Sequence, residues 1–523
     1  MPKVAKGKRK RAYRPKTSTG CPTCRLRRVK CDETRPACLR CVSTDRICDG
    51  YPHVQAPRSS HASIISLPDI AGPALDIEIR ASPQSKRSFS YFLQRTRPQL
   101  AGFFGSDFWE RLVLQAAHRE SAVRHALVAI GSVHELSERQ TAASDVSRAF
   151  ALEQYNLAIR ELLVAPSQGG ERGVDVCLIA CILFACLENM QGRHVTAITH
   201  IQSGAKLLRE TLCDGENGVL RHGVFGSTRQ IDSYVPLDVL ARIFAGLNSQ
   251  VAMMFGDEKL KLVEDSSRGT IDSGLPFSFS SVREAKGIFE YGYCLYTRSQ
   301  PDELSCDPAE YPAAVKAHAD HFASLTSKYS FALQAFFESK GSSLTPKEDI
   351  AFAVLQLHVL NNLVSLHAEQ MPQDSQSRCE LFQPHIIKML ALGEKIVSAI
   401  VSDDDHGGQA TSFCSDMGYV IPLYSVATRT PDLAIRGRAI ELLRSTSRQE
   451  GLWNSLLAAE AAERVMEIQQ REARSCNHRP DWVMSPIVQP FLELDGKGGR
   501  LRYIRMEQET HTQIDVVEEV FSW

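Results

Sequence analysis

From about residue 88 onward, apolar residues recur at spacings of three and four. Leu112, Ala116 and Ala117 are one such set, and Ala353, Leu357, Leu360 and Leu363 are another. That period lines up apolar side chains on one face of a helix. Helix-start signals punctuate the pattern. Asp107-x-x-Glu110 reads as a capping box, and Thr345-Pro346-Lys347-Glu348 reads as a stronger one with proline at the first helical position. Asp307-Pro308-Ala309-Glu310 repeats that logic, and Thr430-Pro431-Asp432 opens a further helix. Strand alternation is scarce. No repeat with a period of about 30 to 50 residues appears, which argues against a regular solenoid. The pattern predicts a mainly α body over 88–523, with roughly twelve to sixteen helices.

Upstream the periodicity breaks. Pro52, Pro57, Pro68, Pro73 and Pro83 interrupt any helix between Asp49 and Lys86, and Ser59, Ser60, Ser63 and Ser66 add polarity. A linker is expected over 53–87. The same prolines forbid the sustained heptads of a dimerising coiled coil. The longest uncharged apolar run, Val176 to Leu187, has 12 residues. A membrane span needs about 20, so none is predicted. The opening residues, MPKVAKGKRKRAYRPK, are basic with no apolar stretch behind them. That reads as the absence of a secretory signal and so as a reducing compartment. Fifteen cysteines in such a compartment are not a disulfide framework.

Charge changes the picture. The net charge of −1 hides a basic head on an acidic body. Residues 1–60 carry 16 of the 60 Lys and Arg but only 4 of the 61 Asp and Glu, a net of +12 against −13 for the remainder. A head of that sign meets a polyanion, and an acidic body is repelled by it. Lys6, Lys8, Arg9, Lys10 and Arg11, with Arg14 and Lys16, form a basic tail over 1–17. Such a run reads as a nuclear localisation signal, a nucleic-acid patch or both.

Six of the fifteen cysteines crowd together: Cys21, Cys24, Cys31, Cys38, Cys41 and Cys48. Their spacing is C-x2-C-x6-C twice over, with six residues between the copies. Repeated C-x2-C pairs in a reducing compartment read as zinc sites. Four thiolates satisfy one zinc, so six serve two only if two are shared. The twofold repeat makes the first cysteine of each copy, Cys21 and Cys38, the natural bridges. Between Cys24 and Cys31 lies Arg25-Leu26-Arg27-Arg28-Val29-Lys30. A short helix starting near Pro22 fits there. Leu26 and Val29 would face the cluster core, and Arg25, Arg27, Arg28 and Lys30 would face outward. The second copy offers only Arg40 and Arg46 among acids, so the first half is expected to carry most of the polyanion contact.

The segment CPTCRLRRVKCDETRPACLRCVSTDRIC resembles the fungal six-cysteine, two-zinc binuclear cluster of transcription factors. The resemblance implies that Cys21, Cys24, Cys31 and Cys38 hold one zinc, and that Cys38, Cys41, Cys48 and Cys21 hold the other. It implies a DNA-binding domain over 18–52 that reads CGG-like triplets in the major groove. Base-contacting positions fall on Arg27 and Arg28, where arginine pairs with guanine, and Arg25 and Lys30 hold phosphates. Pro36 stands where that family has a loop proline. Residues 192–208 (GRHVTAITHIQSGAKLL) and 422–468 resemble the large helical regulatory domain of the same factors. In the second stretch Arg436, Arg438, Glu450, Gly451 and Trp453 match the pattern. The function implied is a nuclear, sequence-specific regulator of RNA polymerase II promoters. Its partners would be double-stranded DNA and co-regulators, with a homodimer through the helical domain where one forms.

Enzyme signatures are absent: no G-x-S-x-G, P-loop or H-E-x-x-H occurs. Gly496-Lys497-Gly498-Gly499 reads as a turn. His318 and His321 read as ordinary helix residues, and His200 as a core histidine with its hydrogen bonds met. Cys177, Cys181 and Cys186 read as small packing hydrophobes. The tail from Ile514, IDVVEEVFSW, could be an acidic activation segment. The reading taken is a last amphipathic helix docked on the body, because Ile514, Val517 and Phe521 share one helical face.

Overall fold

The chain divides into two units, Met1–Asp76 and Ile77–Trp523. The computed structural model describes residues 21, 23–24, 27, 29–32, 34, 38–44 and 48 of the first. In the second it describes 82–139, 145–163, 173–214, 219–222, 226–229, 233–255, 278–298, 310–370, 375–403, 412–475, 489–492, 498–506 and 513–522. Most of the expected linker, Asp307-Pro308-Ala309 and the basic tail lie outside the described residues. In the first unit one short helix, α1 (Leu39–Val42), follows Cys38.

The second unit is mainly α, as the periodicity predicts. It opens with α2 (Pro83–Tyr91). Pro83, read above as a breaker, instead starts this helix. In the first turn its missing N–H has no partner to lose. Ser82 Oγ caps the turn by accepting the Ser85 N–H at 3.2 Å. α2 runs on through a π-helical turn (Phe92–Thr96) into α3 (Arg97–Leu100). A second π turn (Phe108–Leu112) leads into α4 (Val113–Arg119). The expected box at Asp107 and Glu110 does not form, because Asp107 is itself helical and makes no side-chain cap. Ser106 Oγ accepts the Trp109 N–H at 3.5 Å, and Asp107 pairs with Arg283 at 3.1 Å.

Four helices then form two packed hairpins. α5 (Ser121–Arg139) lies on α6 (Asp145–Leu163), and α7 (Val174–Met190) lies on α8 (His194–Glu210). The uncharged apolar run of the sequence is the middle of α7, buried on all sides. Leu178, Ile179, Ile182 and Leu183 meet Leu127 and Ile130 of α5 in the first core. Gly131 is required there: a Cβ on it would sit 2.1 Å from the Ser88 carbonyl oxygen of α2. A small antiparallel sheet follows, β1 (Leu212–Asp214), β2 (Val219–His222) and β3 (Gly226–Arg229).

The next helices are α9 (Leu237–Phe255), α10 (Val282–Arg298), α11 (Tyr311–Lys340), α12 (Pro346–Gln370) and α13 (Ser375–Asp403). The box before α12 forms as predicted. Thr345 Oγ1 accepts the Glu348 N–H at 3.3 Å, and Glu348 Oε2 accepts the Thr345 N–H at 2.9 Å. Residues 346–366 of α12 are long and apolar enough to cross a membrane, but Val354, Leu355, Leu357 and Leu360 are buried in the second core. After β4 (Ser412–Cys414) come α14 (Val420–Arg429) and α15 (Leu433–Arg444). Asp432 caps α15, accepting the Ala434 and Ile435 N–H groups at 2.9 and 3.2 Å. β5 (Arg448–Glu450), β6 (Trp453–Asn454) and α16 (Ser455–Ser475) complete this part, with β5 parallel to β4 and antiparallel to β6.

The C-terminal segment corrects the sequence reading. It is an antiparallel sheet of β7 (Gln489–Leu492), β8 (Gly498–Met506) and β9 (Gln513–Ser522), not a docked helix. Ile514, Val516, Val517 and Val520 are β-branched and suit a pleated surface better than a helix. The register sets Arg502 opposite Glu518 and Arg505 opposite Asp515. Gly498 and Gly499, read as part of a turn, begin β8.

Partly buried polar contacts join sequence-distant segments of the body. Trp109 Nε1 donates to Ser415 Oγ at 2.8 Å, Ser415 Oγ donates to the Leu100 carbonyl at 3.0 Å, and the Phe413 N–H donates to Gln99 Oε1 at 3.0 Å. Glu450 sits beneath this seam. Its carboxylate accepts the Tyr419 and Val420 N–H groups at 3.2 and 3.0 Å and the Arg448 Nε–H at 2.7 Å. His358 Nε2 donates to the Gly418 carbonyl at 2.7 Å, and burial holds that imidazole neutral by lowering its pKa. Gly451 turns the chain at φ 55°, and a Cβ there would meet Gln250 Oε1 at 1.8 Å.

Two predictions follow from these contacts. Glu450→Ala leaves Arg448 buried without its counter-charge and should destabilise the body by about 3–5 kcal/mol in denaturant unfolding. Replacing both partners by apolar residues should cost less. The second concerns Glu138 on α5. Arg95 Nη2 lies 3.3 Å from its carboxylate, His134 Nε2 lies 3.3 Å away, Gln99 Nε2 donates at 3.1 Å, and Tyr91 Oη also donates to it. Burial opposes ionisation, but His134, Tyr91 and Arg95 outweigh it and hold the carboxyl down at about 2. A depressed pKa contributes stability that is full above the ordinary carboxyl range and is lost as pH falls through the folded value. The melting-temperature gap between wild type and Glu138→Gln should therefore be widest above about pH 5 and close toward about pH 2.

Candidate metal centre and nucleic-acid interface

The six clustered cysteines meet in space as the repeat predicts. Cys21, Cys24, Cys31 and Cys38 place their sulfurs within 4.8 Å of one another, and so do Cys21, Cys38, Cys41 and Cys48. Cys21 and Cys38 belong to both sets. Cys24 and Cys38 Sγ lie 3.6 Å apart, Cys21 and Cys38 Sγ 3.7 Å, and Cys21 and Cys41 Sγ 3.8 Å. Zinc holds thiolates at about 2.3 Å, which puts tetrahedral neighbours roughly 3.8 Å apart. The donor set and its spacing therefore fit zinc. Burial pushes the Cys21 and Cys38 thiols up. It pushes Cys24 up too, with neighbouring thiols adding to the rise. Ionising such thiols needs a cation among them.

The local backbone repeats with the sequence. The Cys24 N–H donates to Cys21 Sγ at 3.4 Å, and the Cys41 N–H donates to Cys38 Sγ at 3.3 Å. Each shared sulfur thus sits at the start of a helical turn, where free N–H groups favour a thiolate. In the first half, Thr23 and Cys24 are helical and the Arg27 N–H donates to the Thr23 carbonyl at 3.2 Å. Val29 departs from expectation. It is 41% exposed rather than turned to the core. Leu39 and Val42 of α1 are also exposed. Among the described residues of this unit, Cys21, Cys24, Cys38 and Cys41 are the buried ones. Among these described residues the interior is sulfur, and Val29 stays at the surface.

Of the basic residues assigned to DNA, Arg27 and Lys30 are described. Lys30 is exposed, and Arg27 is half-buried. Arg27 Nη1 donates to Thr44 Oγ1 at 3.1 Å, across to the second half. Arg25, Arg28, Leu26 and Pro36 lie outside the described residues, as do Lys6, Lys8, Arg9, Lys10 and Arg11.

Two residues were missed by the sequence reading. Asp32 accepts the Leu39 and Arg40 N–H groups of α1 at 2.9 and 3.0 Å. The Thr34 hydroxyl bonds to the same carboxylate and, with those amides, pulls its pKa well below the ordinary range. Thr44 closes the other end of α1, donating to the Arg40 carbonyl at 2.8 Å. An acid directly after Cys31 in a strongly basic head was the available signal for Asp32. No sequence signal marked Thr44.

In the body, Glu450 and Gly451 lie at the polar seam already described, and Trp453 is buried in the second core with its ring 5.5 Å from that of Tyr424. Arg436 is buried and donates Nε–H to the Ala427 carbonyl at 2.7 Å, near the end of α14. Arg438 is half-exposed and pairs with Glu394 at 2.7 Å. His200 Nε2 lies 3.1 Å from Tyr155 Oη, and His318 stacks on Tyr296 at 5.0 Å. Cys177 and Cys186 are buried and Cys181 half-buried, and burial pushes the Cys181 and Cys186 thiols up to about 12. The three cysteines pack among apolar neighbours.

Residues 19–56 match the fungal Zn(2)-Cys(6) binuclear cluster domain, and residues 87–259 match the fungal specific transcription factor domain. The stretch 422–468 lies beyond both matches. The aspercryptin biosynthesis cluster-specific transcription regulator atnN of Emericella nidulans is 31% identical over 303 residues, 53% of this chain and 46% of that protein. The transcription regulator lscL of Purpureocillium lilacinum is 30% identical over 221 residues, 38% of this chain and 52% of that protein. The transcriptional regulatory protein moc3 of Schizosaccharomyces pombe is 37% identical over 93 residues, 18% of this chain and 17% of that protein. The chain thus spans about half the length of the first two relatives, or less. No solved structure matches. The matched domains and relatives are those of transcription factors rather than enzymes. The chain thus carries a fungal Zn(2)-Cys(6) binuclear cluster domain and a fungal specific transcription factor domain, and the relatives it is similar to are fungal transcription regulators.

Proposed function

We propose that this chain is a sequence-specific DNA-binding regulator that acts on RNA polymerase II promoters through CGG-like triplets. The supporting observation is the pair of four-sulfur sets sharing Cys21 and Cys38, with a basic segment between Cys24 and Cys31. In this reading Cys21, Cys24, Cys31, Cys38, Cys41 and Cys48 hold two zinc ions. Zinc supplies no reaction here; it neutralises the thiolates and cross-links the two halves. Arg27 and Arg28 read guanine, and Arg25 and Lys30 hold phosphates. Lys6, Lys8, Arg9, Lys10 and Arg11 direct the chain to the nucleus. The cluster domain spans 18–52 between the basic tail and the linker, and the helical domain over 88–523 receives co-regulators and carries any homodimer contact. The acidic body is repelled by DNA, which confines the contact to the head.

Two experiments test this. Native mass spectrometry of the full chain should show two zinc ions. Cys38→Ser removes a sulfur common to both sets and should lose both ions, whereas Cys24→Ser should keep the second. A wild type with one zinc would reject the shared-sulfur arrangement. In DNA binding, Arg28→Ala or Arg27→Ala should cost about 1–3 kcal/mol on the preferred duplex and flatten preference at one base pair. Lys30→Ala should weaken all sequences alike and lower the salt slope by about one. If both arginine variants lose affinity uniformly, the head is an electrostatic anchor only.

A further inference from the structure

We propose that Thr44, in the second half of the cluster, is a positioning residue that sets base readout through Arg27. The proposal rests on the reading of Arg27 as a DNA contact and adds to it a residue outside the basic segment.

The geometry gives Thr44 a defined direction. Its hydroxyl donates to the Arg40 carbonyl at 2.8 Å, with the Cys41 carbonyl at 3.2 Å. Its proton is therefore committed, and its lone pairs face the incoming donor. Arg27 Nη1 supplies that donor at 3.1 Å from 17 residues earlier in the chain. The platform beneath Thr44 is anchored. Asp32 holds the first two N–H groups of α1, and the shared sulfur of Cys38 accepts the Cys41 N–H. Arg27 is tied at its own base by the N–H bond to Thr23.

A guanidinium carries five N–H donors in a rigid fork. One of them on Thr44 leaves Nε–H and the Nη2 donors, which is the two-donor edge that guanine O6 and N7 require. A long arginine side chain otherwise loses its rotamer freedom only when DNA arrives. Holding it beforehand lowers that cost for the correctly oriented base and not for others. The second half, poor in cations, then contributes to sequence choice without touching a base.

The test uses the full chain and duplexes carrying the CGG-like triplet, each single-base variant of it, and a scrambled control. Thr44→Val keeps the shape and removes the acceptor. It should lower discrimination at one base pair by about three- to ten-fold, with zinc content and affinity for the scrambled duplex unchanged. Thr44→Ser should restore wild-type preference. In an Arg27→Ala background Thr44→Val should add nothing, because the two act through one interaction. Wild-type preference in Thr44→Val, while Arg27→Ala flattens it, overturns this proposal and leaves the DNA reading intact. A further loss in the double variant overturns it too, as does zinc loss or uniform weakening on all duplexes in Thr44→Val. A wild type without any base preference overturns both the proposal and the reading beneath it.

Discussion

Among the described residues of the cluster unit the buried side chains are thiols, and thiolates packed this closely need a cation to hold them. In a larger domain Val29, Leu39 and Val42 would be buried together, but here they stay on the surface and sulfur takes the interior. About thirty residues do not enclose enough apolar area to fold on that alone. The placement of each backbone turn around the cluster follows from the sulfurs. Two helical starts aim their amides at Cys21 and Cys38, and the halves are then joined by Asp32 on one side and by Arg27 and Thr44 on the other. Sulfur positions and backbone fold are in this sense one object.

The body solves a different problem with a related device. Among the described residues most of its buried hydrophobic side chains fill two large cores, and a polar seam lies between segments far apart in the chain. The stretch matched to the fungal regulatory domain ends at residue 259, yet Gln99, Leu100, Trp109 and Gln250 take partners from 413–452. Buried charge makes that closure specific. Moving Arg448 or Glu450 out of register would strand an ion in a low-dielectric interior, a penalty that apolar packing does not impose. Lys286 behaves similarly, lying 2.6 Å from Asp416 and 3.3 Å from Glu290. The family-matched stretch is therefore completed by residues that its own sequence does not contain.

The sites legible in the sequence were those whose chemistry is local. The cysteine spacing anticipates two four-sulfur sets that share Cys21 and Cys38, and the box at Thr345 and Glu348 closes within one turn. Failures came where a neighbour outvoted the local signal. Asp107 had a cap partner in sequence but a salt-bridge partner in space, Arg283. Ile514, Val517 and Phe521 are spaced for a helix, and the same segment pairs antiparallel with β8 as a strand, as its β-branched residues favour. Thr44 is an ordinary threonine until Arg27 reaches it.

The sequence by itself determined the donor set, the shared sulfurs, the polarity of head and body and the helical character of the body. Each of these is set by residue type and by separations of a few residues, which short-range geometry preserves. Tertiary structure alone decided which end of the chain closes the family-matched helices, that the C-terminus is a sheet, and that Arg27 is held from the opposite half. Those contacts join positions from 17 to more than 300 residues apart. No periodicity encodes them, because they arise from the free energy of burying and pairing groups that the finished fold brings together.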